Sequence, residues 1–414
     1  TLPPQATKVL LDFFARLEAG EAEWPTQWIQ GLVHGLQKRP GAADADGHRP
    51  ICVLSVAYRT WSSIRARQAL RQLLPLMGCE ASGFLPGREP AEVWMAIQAA
   101  VEAHVQSGEL LTGVSTDIIK AFNCLPRGHT FAVAAHIGLP ASLLQPWQSF
   151  LTRLERRFCV RDAVSSPCLS NTGFPEGCPL STLAMVLADL SFHRDLQAYS
   201  PRVRTLSYVD NLACLAPEVA SLAQGVNVTR SWAELYCLEL DPEKTYAWAT
   251  GPQARRTLKA LGFTVLQGAR DLGGAMSYGR AVRNRPVADR CKALAPAWAR
   301  LRRSRCPPFL KLRVLPSKFW ASALHGASGC PLASNHIQAL RTQATKALGW
   351  AAAGSSPMLR LCLGPRLEAD PGFFELWTAL RDLRRLCRKQ PLLLAHWQAF
   401  MQGYDGSLVP GPFS

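Results

Sequence analysis

Two aspartates, Asp117 and Asp210, each end or join short apolar segments, and that placement restricts the fold more than any other feature of the chain. Asp117 opens Asp-Ile-Ile-Lys-Ala-Phe-Asn-Cys-Leu-Pro-Arg (117–127), directly after Leu110–Thr116, which is short and apolar enough for a buried strand. Asp210 sits in Leu-Ser-Tyr-Val-Asp-Asn-Leu-Ala (206–213), where two apolar arms flank an Asp-Asn pair. Such arms predict a β-hairpin with the carboxylate at its tip. Between the two lies Gly-Phe-Pro-Glu-Gly-Cys-Pro-Leu-Ser (173–181). Two carboxylates at neighbouring strand ends can clamp a pair of divalent cations about 3.5–4 Å apart for in-line phosphoryl transfer.

The surrounding sequence supplies a frame for such a pair. Val53, Leu54, Ala57, Tyr58, Trp61 and Ile64 fall on one helical face of 53–72, and Val93, Trp94, Ile97, Ala100, Val101 and Val105 repeat the pattern. Helices are predicted near 129–137 and 141–153, a strand over Arg157–Arg161, and a helix over 180–197 started by Pro179. A helix over 218–237 and a strand over Tyr246–Ala249 follow. This alternation predicts an α+β chain with a helix-backed antiparallel sheet in 110–282. From about 286 onward the chain reads as helical and basic, and Pro/Gly-rich 403–414 as frayed.

Charge is divided unevenly along the 414 residues. Residues 1–250 hold 21 Lys and Arg against 23 Asp and Glu, whereas residues 251–414 hold 25 against 7. Arg300, Arg302, Arg303 and Arg305 form one cluster, and Arg381, Arg384, Arg385, Arg388 and Lys389 another. A half-chain of this charge reads as a polyanion-binding face, and the phosphoryl-transfer chemistry upstream favours nucleic acid over membrane. Thirteen scattered cysteines without a Cys-x-x-Cys pair read as reduced, mostly buried thiols in an intracellular setting, with no zinc site. No apolar stretch is long enough to span a bilayer, since Leu183–Phe192 is interrupted by Asp189. No charged-then-apolar leader opens the chain, and a start at Thr1 with an end in Gly-Pro-Phe-Ser reads as an excerpt from a longer polypeptide.

Taken in order, Asp-x-x-Lys-Ala-Phe, Gly-Phe-Pro-x-Gly-x-Pro-Leu-Ser and Tyr-x-Asp resemble the palm of a reverse transcriptase, most closely that of the non-LTR (LINE-type) retrotransposons. The resemblance implies a right-hand polymerase fold. It divides the chain into an N-terminal region and fingers (1–109), a palm (110–282) with a fingers insertion near 128–165, a helical thumb (283–350) and a basic helical C-terminal extension (351–414). It implies RNA-directed DNA polymerisation with two Mg²⁺ ions (Mn²⁺ as an alternative), an RNA template, a DNA primer and dNTPs as partners, and a nuclear setting.

Residue by residue, the resemblance makes Asp117 and Asp210 metal ligands, with the Ile118 carbonyl and the Asn211 amide oxygen further contacts. Phe122 takes the place of an aromatic gate against the ribose 2′-hydroxyl. Lys38, in Gln-Lys-Arg-Pro-Gly (37–41), and Arg49, in His-Arg-Pro-Ile (48–51), correspond to groups on the triphosphate. Lys244 matches a proton donor to departing pyrophosphate. Gly173 and Pro175 fall against the template, and Glu176 and Gly177 against the nucleotide, with the glycines allowing close backbone approach. Gly83-Phe84-Leu85-Pro86-Gly87-Arg88 is similar to another finger motif, and Leu261-Gly262-Phe263 with Gly268–Gly274 to a primer grip. Arg300, Arg302, Arg303 and Arg305 match thumb contacts to duplex phosphates by position and charge.

Two positions depart from the family pattern. Glu176 stands where Gln is usual, and a carboxylate there repels nucleotide phosphates unless it is paired. Asn211 stands where the phrase Tyr-x-Asp-Asp has its second Asp, so Asn211→Asp is expected to leave activity equal or higher by restoring charge beside the metals. These departures leave open a second class of function, in which a degenerate palm serves as an RNA-binding scaffold or survives as the remnant of a mobile element.

Overall fold

In the computed structural model the described residues are 3–281, 285–329, 332, 334–350, 354, 356–362, 366–403 and 411–412. Ten strands run through them in chain order: β1 (Gln30–Gln37), β2 (His48–Val53), β3 (Thr112–Asp117), β4 (Glu155–Val160), β5 (Ala163–Val164), β6 (Arg204–Tyr208), β7 (Asn211–Ala216), β8 (Tyr246–Ala249), β9 (Gly268–Asp271) and β10 (Gly274–Ser277). They form a sheet in the order β6-β7-β3-β8, a second in the order β2-β1-β4-β5, and the hairpin β9–β10. The first sheet is antiparallel throughout.

Strand periodicity assigns the two faces of that first sheet. Val114, Leu212, Cys214, Ala216, Ala247 and Ala249 join one core with the helices Pro179–Tyr199 and Val219–Leu235. Leu206, Ala213, Leu215 and Trp248 point the other way, into a second core with the helix Pro90–Ser107, Met276 and Tyr278. The sheet is therefore buried on both faces, which is why β7 reads as a nearly continuous apolar run, while β3 is buried through Thr116 with small and hydroxyl side chains. Gly113 fits only because it has no side chain: a Cβ there would lie 2.2 Å from the Trp248 ring.

The second sheet is the part least visible in the sequence. Only β4 was expected, as Arg157–Arg161, and it pairs parallel to β1. Val53 ends β2 and is 49% exposed, so the helix expected over 53–72 begins three residues later, at Val56, where the Ser55 hydroxyl accepts from the Tyr58 amide at 3.2 Å. Its buried stripe is Tyr58, Trp61, Ala69, Leu70 and Leu73, and Ile64 lies off that stripe, 42% exposed. Tyr58 and Trp61 meet Trp24 and Phe150 in an aromatic core, and the Trp24 indole donates to the Pro146 carbonyl at 2.8 Å.

From Arg285 the described chain is helical, as expected. Leu294, Trp298, Leu312, Phe319, Trp320, Leu340 and Leu348 share one core with Leu361 and Ala369, so residues on either side of 350 pack together. Asp370 caps the helix Pro371–Lys389 and takes two hydrogen bonds from Arg341, at 2.7 and 2.9 Å. That helix corrects the reading of its basic cluster as a polyanion-binding face. Arg385 pairs with Glu89, Lys389 with Glu92 and the Gly87 carbonyl, and Arg381 with Asp382. Three of the five cations therefore have carboxylate partners inside the chain. Among the described residues no helix is long and apolar enough to cross a membrane. Most of 403–414 lies outside the described residues.

Candidate active site

The centre of the first sheet delivers both carboxylates to one place. Antiparallel pairing sets Asp117, the last residue of β3, opposite Asn211, the first of β7, and Asp210 occupies the β6–β7 turn beside it. The Ile118 amide donates to the Asp210 carbonyl at 2.9 Å, and the Asp241 amide to the Asp117 carbonyl at 2.8 Å. The turn itself is strained. Val209 has φ +62°, a left-handed conformation costly for a β-branched residue. Gly83 packs against it so closely that a Cβ would lie 2.4 Å from the Val209 amide nitrogen. Backbone bonds from Ser82 to Ser207 and from Ser207 to Glu80 hold that loop along β6.

The site's electrostatics follow from this crowding. Burial, then the charge of Asp117, pushes the Asp210 carboxyl above its ordinary value, against the pull of Lys244 and Arg49. The Lys244 ammonium pairs with Asp117 Oδ2 and lies 3.4 Å from Asp241 Oδ2. Asp117 Oδ1 is buried and has no hydrogen-bond partner, and the same is true of Asn211 Oδ1. A buried carboxylate at Asp210 beside Asp117, with orphaned oxygens on the register-paired Asp117 and Asn211, is a donor set that a hard divalent cation completes. Among the described residues no three or more His, Cys, Asp and Glu side chains converge on a metal site, so the charged donors are Asp117 and Asp210 alone. The Ile118 carbonyl and the Asn211 amide oxygen are the neutral oxygens beside them.

Beside the pair lie the groups expected to meet a nucleotide. Arg49, on β2, reaches Glu176 with Nε to Oε2 at 3.5 Å, and Asn123 Nδ2 donates to Glu176 Oε1 at 3.1 Å. Glu176 is thus paired, which removes the objection that its charge raised. Lys38 Nζ donates to the Asp46 carbonyl at 2.9 Å, and Lys120 Nζ to the Asp46 carboxylate at 2.7 Å. Phe122 meets Phe84 edge-on, ring centroids 6.0 Å apart. Gly173 and Gly177 are also required by the chain itself. Both have positive φ, and a Cβ would lie 2.2 Å from the Asn123 carbonyl at one and 2.4 Å from that of Cys52 at the other. The close approach they permit is to the chain's own backbone. The Pro175 carbonyl accepts from the Cys178 amide and the Ser181 hydroxyl. Arg300, Arg302, Arg303 and Arg305 lie on the helical region instead, all exposed, with Arg302 donating to Gln343 at 2.7 Å.

Sequence reasoning missed four residues here: Phe84, Lys120, Val209 and Asp271. Asp271 ends β9, is 5% exposed and accepts from Asn211 Nδ2 at 2.9 Å and from the Tyr246 hydroxyl at 3.1 Å. Nothing in Arg-Asp-Leu-Gly-Gly distinguishes that aspartate from an ordinary turn residue. Phe84 was visible inside its finger phrase, and its positive φ of 56° marks it further in the structure.

Residues 36–265 match the family model described as reverse transcriptase (RNA-dependent DNA polymerase). No curated protein gives a significant match. Among solved structures the chain is similar to apo telomerase from Candida tropicalis, with a TM-score of 0.50 and 12% identity over 98% of this chain and 73% of that one. It is similar to telomerase from the same organism in complex with the TWJ fragment of telomeric RNA (TM-score 0.50, 11% identity, 97% of this chain and 66% of that one). Apo Candida tropicalis telomerase truncated of its C-terminal domain gives a TM-score of 0.44 at 14% identity, over 61% of this chain and 54% of that one. The chain thus spans from about half to about three quarters of the length of these structures.

Proposed function

The chain belongs to the reverse transcriptase (RNA-dependent DNA polymerase) family, right-hand polymerases by fold, and we propose that it extends a DNA primer with deoxynucleotides on an RNA template. The observation that carries this reading is the meeting of Asp117 and Asp210 at adjacent strand ends, with Asp117 Oδ1 buried and unpartnered. Asp117 and Asp210 would hold two Mg²⁺ ions, with Mn²⁺ as an alternative. When bound, these ions lower the cost of deprotonating the primer 3′-hydroxyl and neutralise charge developing on the leaving pyrophosphate.

The remaining roles fall to the chain's own groups. Arg49 and Lys38, with Lys120 reaching from the 117–127 segment to Asp46 in Lys38's loop, present cations to triphosphate oxygens. Lys244 Nζ, whose pKa is raised by its hydrogen bond to Asp117, stays protonated and is placed to hand a proton to the departing oxygen. Phe122, its ring set by Phe84, excludes a 2′-hydroxyl. The strongest likeness of the three ordered phrases is to non-LTR retrotransposon enzymes, and the proposed setting is a retrotransposon polymerase acting in the nucleus, with residues 285–350 as the thumb.

Primer extension on an RNA template with dNTPs and Mg²⁺ or Mn²⁺ tests the reading. Template-dependent extension is expected. Tight RNA binding without extension under either metal would overturn it in favour of an RNA-binding scaffold.

A further inference from the structure

Half-buried Asn211 and buried Asp271 form a pair next to the β6–β7 turn that the phosphoryl-transfer reading leaves unexplained. Asn211 begins β7, register-paired with Asp117, so the two side chains leave the sheet on the same face. Asp271 comes from the β9–β10 hairpin, 60 residues further along, and accepts the Asn211 amide NH₂ at 2.9 Å. The second carboxylate oxygen of Asp271 accepts from the Tyr246 hydroxyl, which also lies 3.0 Å from the Tyr278 hydroxyl. Tyr278 in turn stacks on Trp248, with the ring planes 4° apart. The hairpin is fixed from its other side by Arg290, which donates to the Gly273 carbonyl. Asp271 is therefore an immobile acceptor.

An amide has one donating end and one accepting end. Because Asp271 as a carboxylate can only accept, it engages the NH₂ of Asn211 and leaves Oδ1 as the free end. That Oδ1 is buried and unpartnered, as is Asp117 Oδ1. A second carboxylate at 211 would be brought against Asp271 in this buried setting, with no donor between them.

We propose that Asp271 is a positioning residue that orients the Asn211 amide so its oxygen, and not its NH₂, is presented beside Asp117 and Asp210. The chain thereby carries its third negative charge at 271, one hydrogen bond behind the carboxylate pair, where the phrase Tyr-x-Asp-Asp would carry it at 211. The part of this inference that concerns polymerase action rests on the proposed function; the pairing itself does not. It also reverses the expectation for Asn211→Asp drawn from the sequence.

The test is a double-mutant cycle of Asn211→Asp, Asp271→Asn and both together, read as melting temperature without metal and as primer extension across a Mg²⁺ titration. Asn211→Asp alone should lower the melting temperature and cut extension roughly tenfold or more, as loss of a ligand-orienting partner does. Adding Asp271→Asn to it should raise both, because a donor then faces an acceptor again, while Asp271→Asn in the native background should raise neither. It should instead increase the Mg²⁺ concentration needed for half-maximal extension. Asn211→Asp matching or exceeding the native chain in both readouts would overturn the inference, as would Asp271→Asn having the same effect in both backgrounds. Should the native chain not extend primers, the melting temperatures still decide whether the pair exists, so the two failures are distinguishable.

Discussion

Phe122 shows how far a single residue can be read before its surroundings are known. Its spacing from Asp117 suggested a gate, and the structure supplies what spacing could not: Phe84 standing edge-on against the ring, in a left-handed backbone conformation that only a well-determined loop tolerates. Phe122→Ala should raise ribonucleotide incorporation relative to deoxynucleotide, read as the ratio of kcat/KM values, and leave the fold intact because the ring is only partly buried. Unchanged discrimination in a folded variant would return Phe122 to the hydrophobic core. Asp117, Asp210 and Lys244 were legible because local phrases carry them, and the structure does place the Lys244 ammonium on Asp117. Asp271 was not legible, since its meaning lies in a hydrogen bond to a residue on another element. The same holds for Glu176, whose charge looked like a defect until Arg49 and Asn123 were found beside it.

Among the elements, the helix Pro179–Tyr199 does more than back the sheet. Asp189, which interrupts its apolar run, lies buried behind the β6–β7 hairpin and accepts from the Ser207 hydroxyl at 2.7 Å. His193, one turn on, contacts Thr205 and Ser207 at 2.6 and 2.8 Å. Burial raises the Asp189 carboxyl to about 7 and lowers His193 to about 4. A raised carboxyl means that the native state holds a proton the unfolded chain has released, so this group's contribution to stability falls as pH climbs from about 4 through about 7. His193 has the opposite sign, its contribution growing as pH rises from about 4 to 6.5. Asp189→Asn keeps an acceptor for Ser207 and removes the charge. It should melt higher than the native chain at pH 8, with the advantage shrinking toward pH 5; an advantage independent of pH would mean that Asp189 is not the buried charge described here. Elements whose patterns are local were legible: the strand Tyr246–Ala249 and the helix over 141–153 lie where periodicity puts them. Strands β1 and β2 were not, because alternating burial covers only the first half of β1 and the β2 side chains are mostly half-exposed. β1 is placed by its pairing with β4, more than 100 residues away, and β2 in turn by its pairing with β1.

For the whole molecule, the charge split along the chain divides into two physical cases. Arg385 and Lys389 are held by Glu89 and Glu92, tying the helix Pro371–Lys389 to the start of the helix Pro90–Ser107, and they are not free for a polyanion. Arg300, Arg302, Arg303 and Arg305 are exposed and have no carboxylate partner among the described residues. If they grip duplex phosphates, replacing all four by Gln should lower the salt dependence of RNA–DNA duplex binding and weaken binding about equally for every sequence. Processivity should suffer more than a single addition, and an unchanged salt slope would assign the grip elsewhere. All of this depends on one claim, that Asp117 and Asp210 together form a polymerase site. The most direct measurement is primer extension on an RNA template by Asp117→Asn and Asp210→Asn, alongside their melting temperatures without metal. Each variant should lose extension by several orders of magnitude. Each should also melt close to the native chain, because relief of the buried Asp210 charge or of its repulsion by Asp117 offsets the loss of the Asp117–Lys244 pair. Near-native extension by either folded variant would contradict the account.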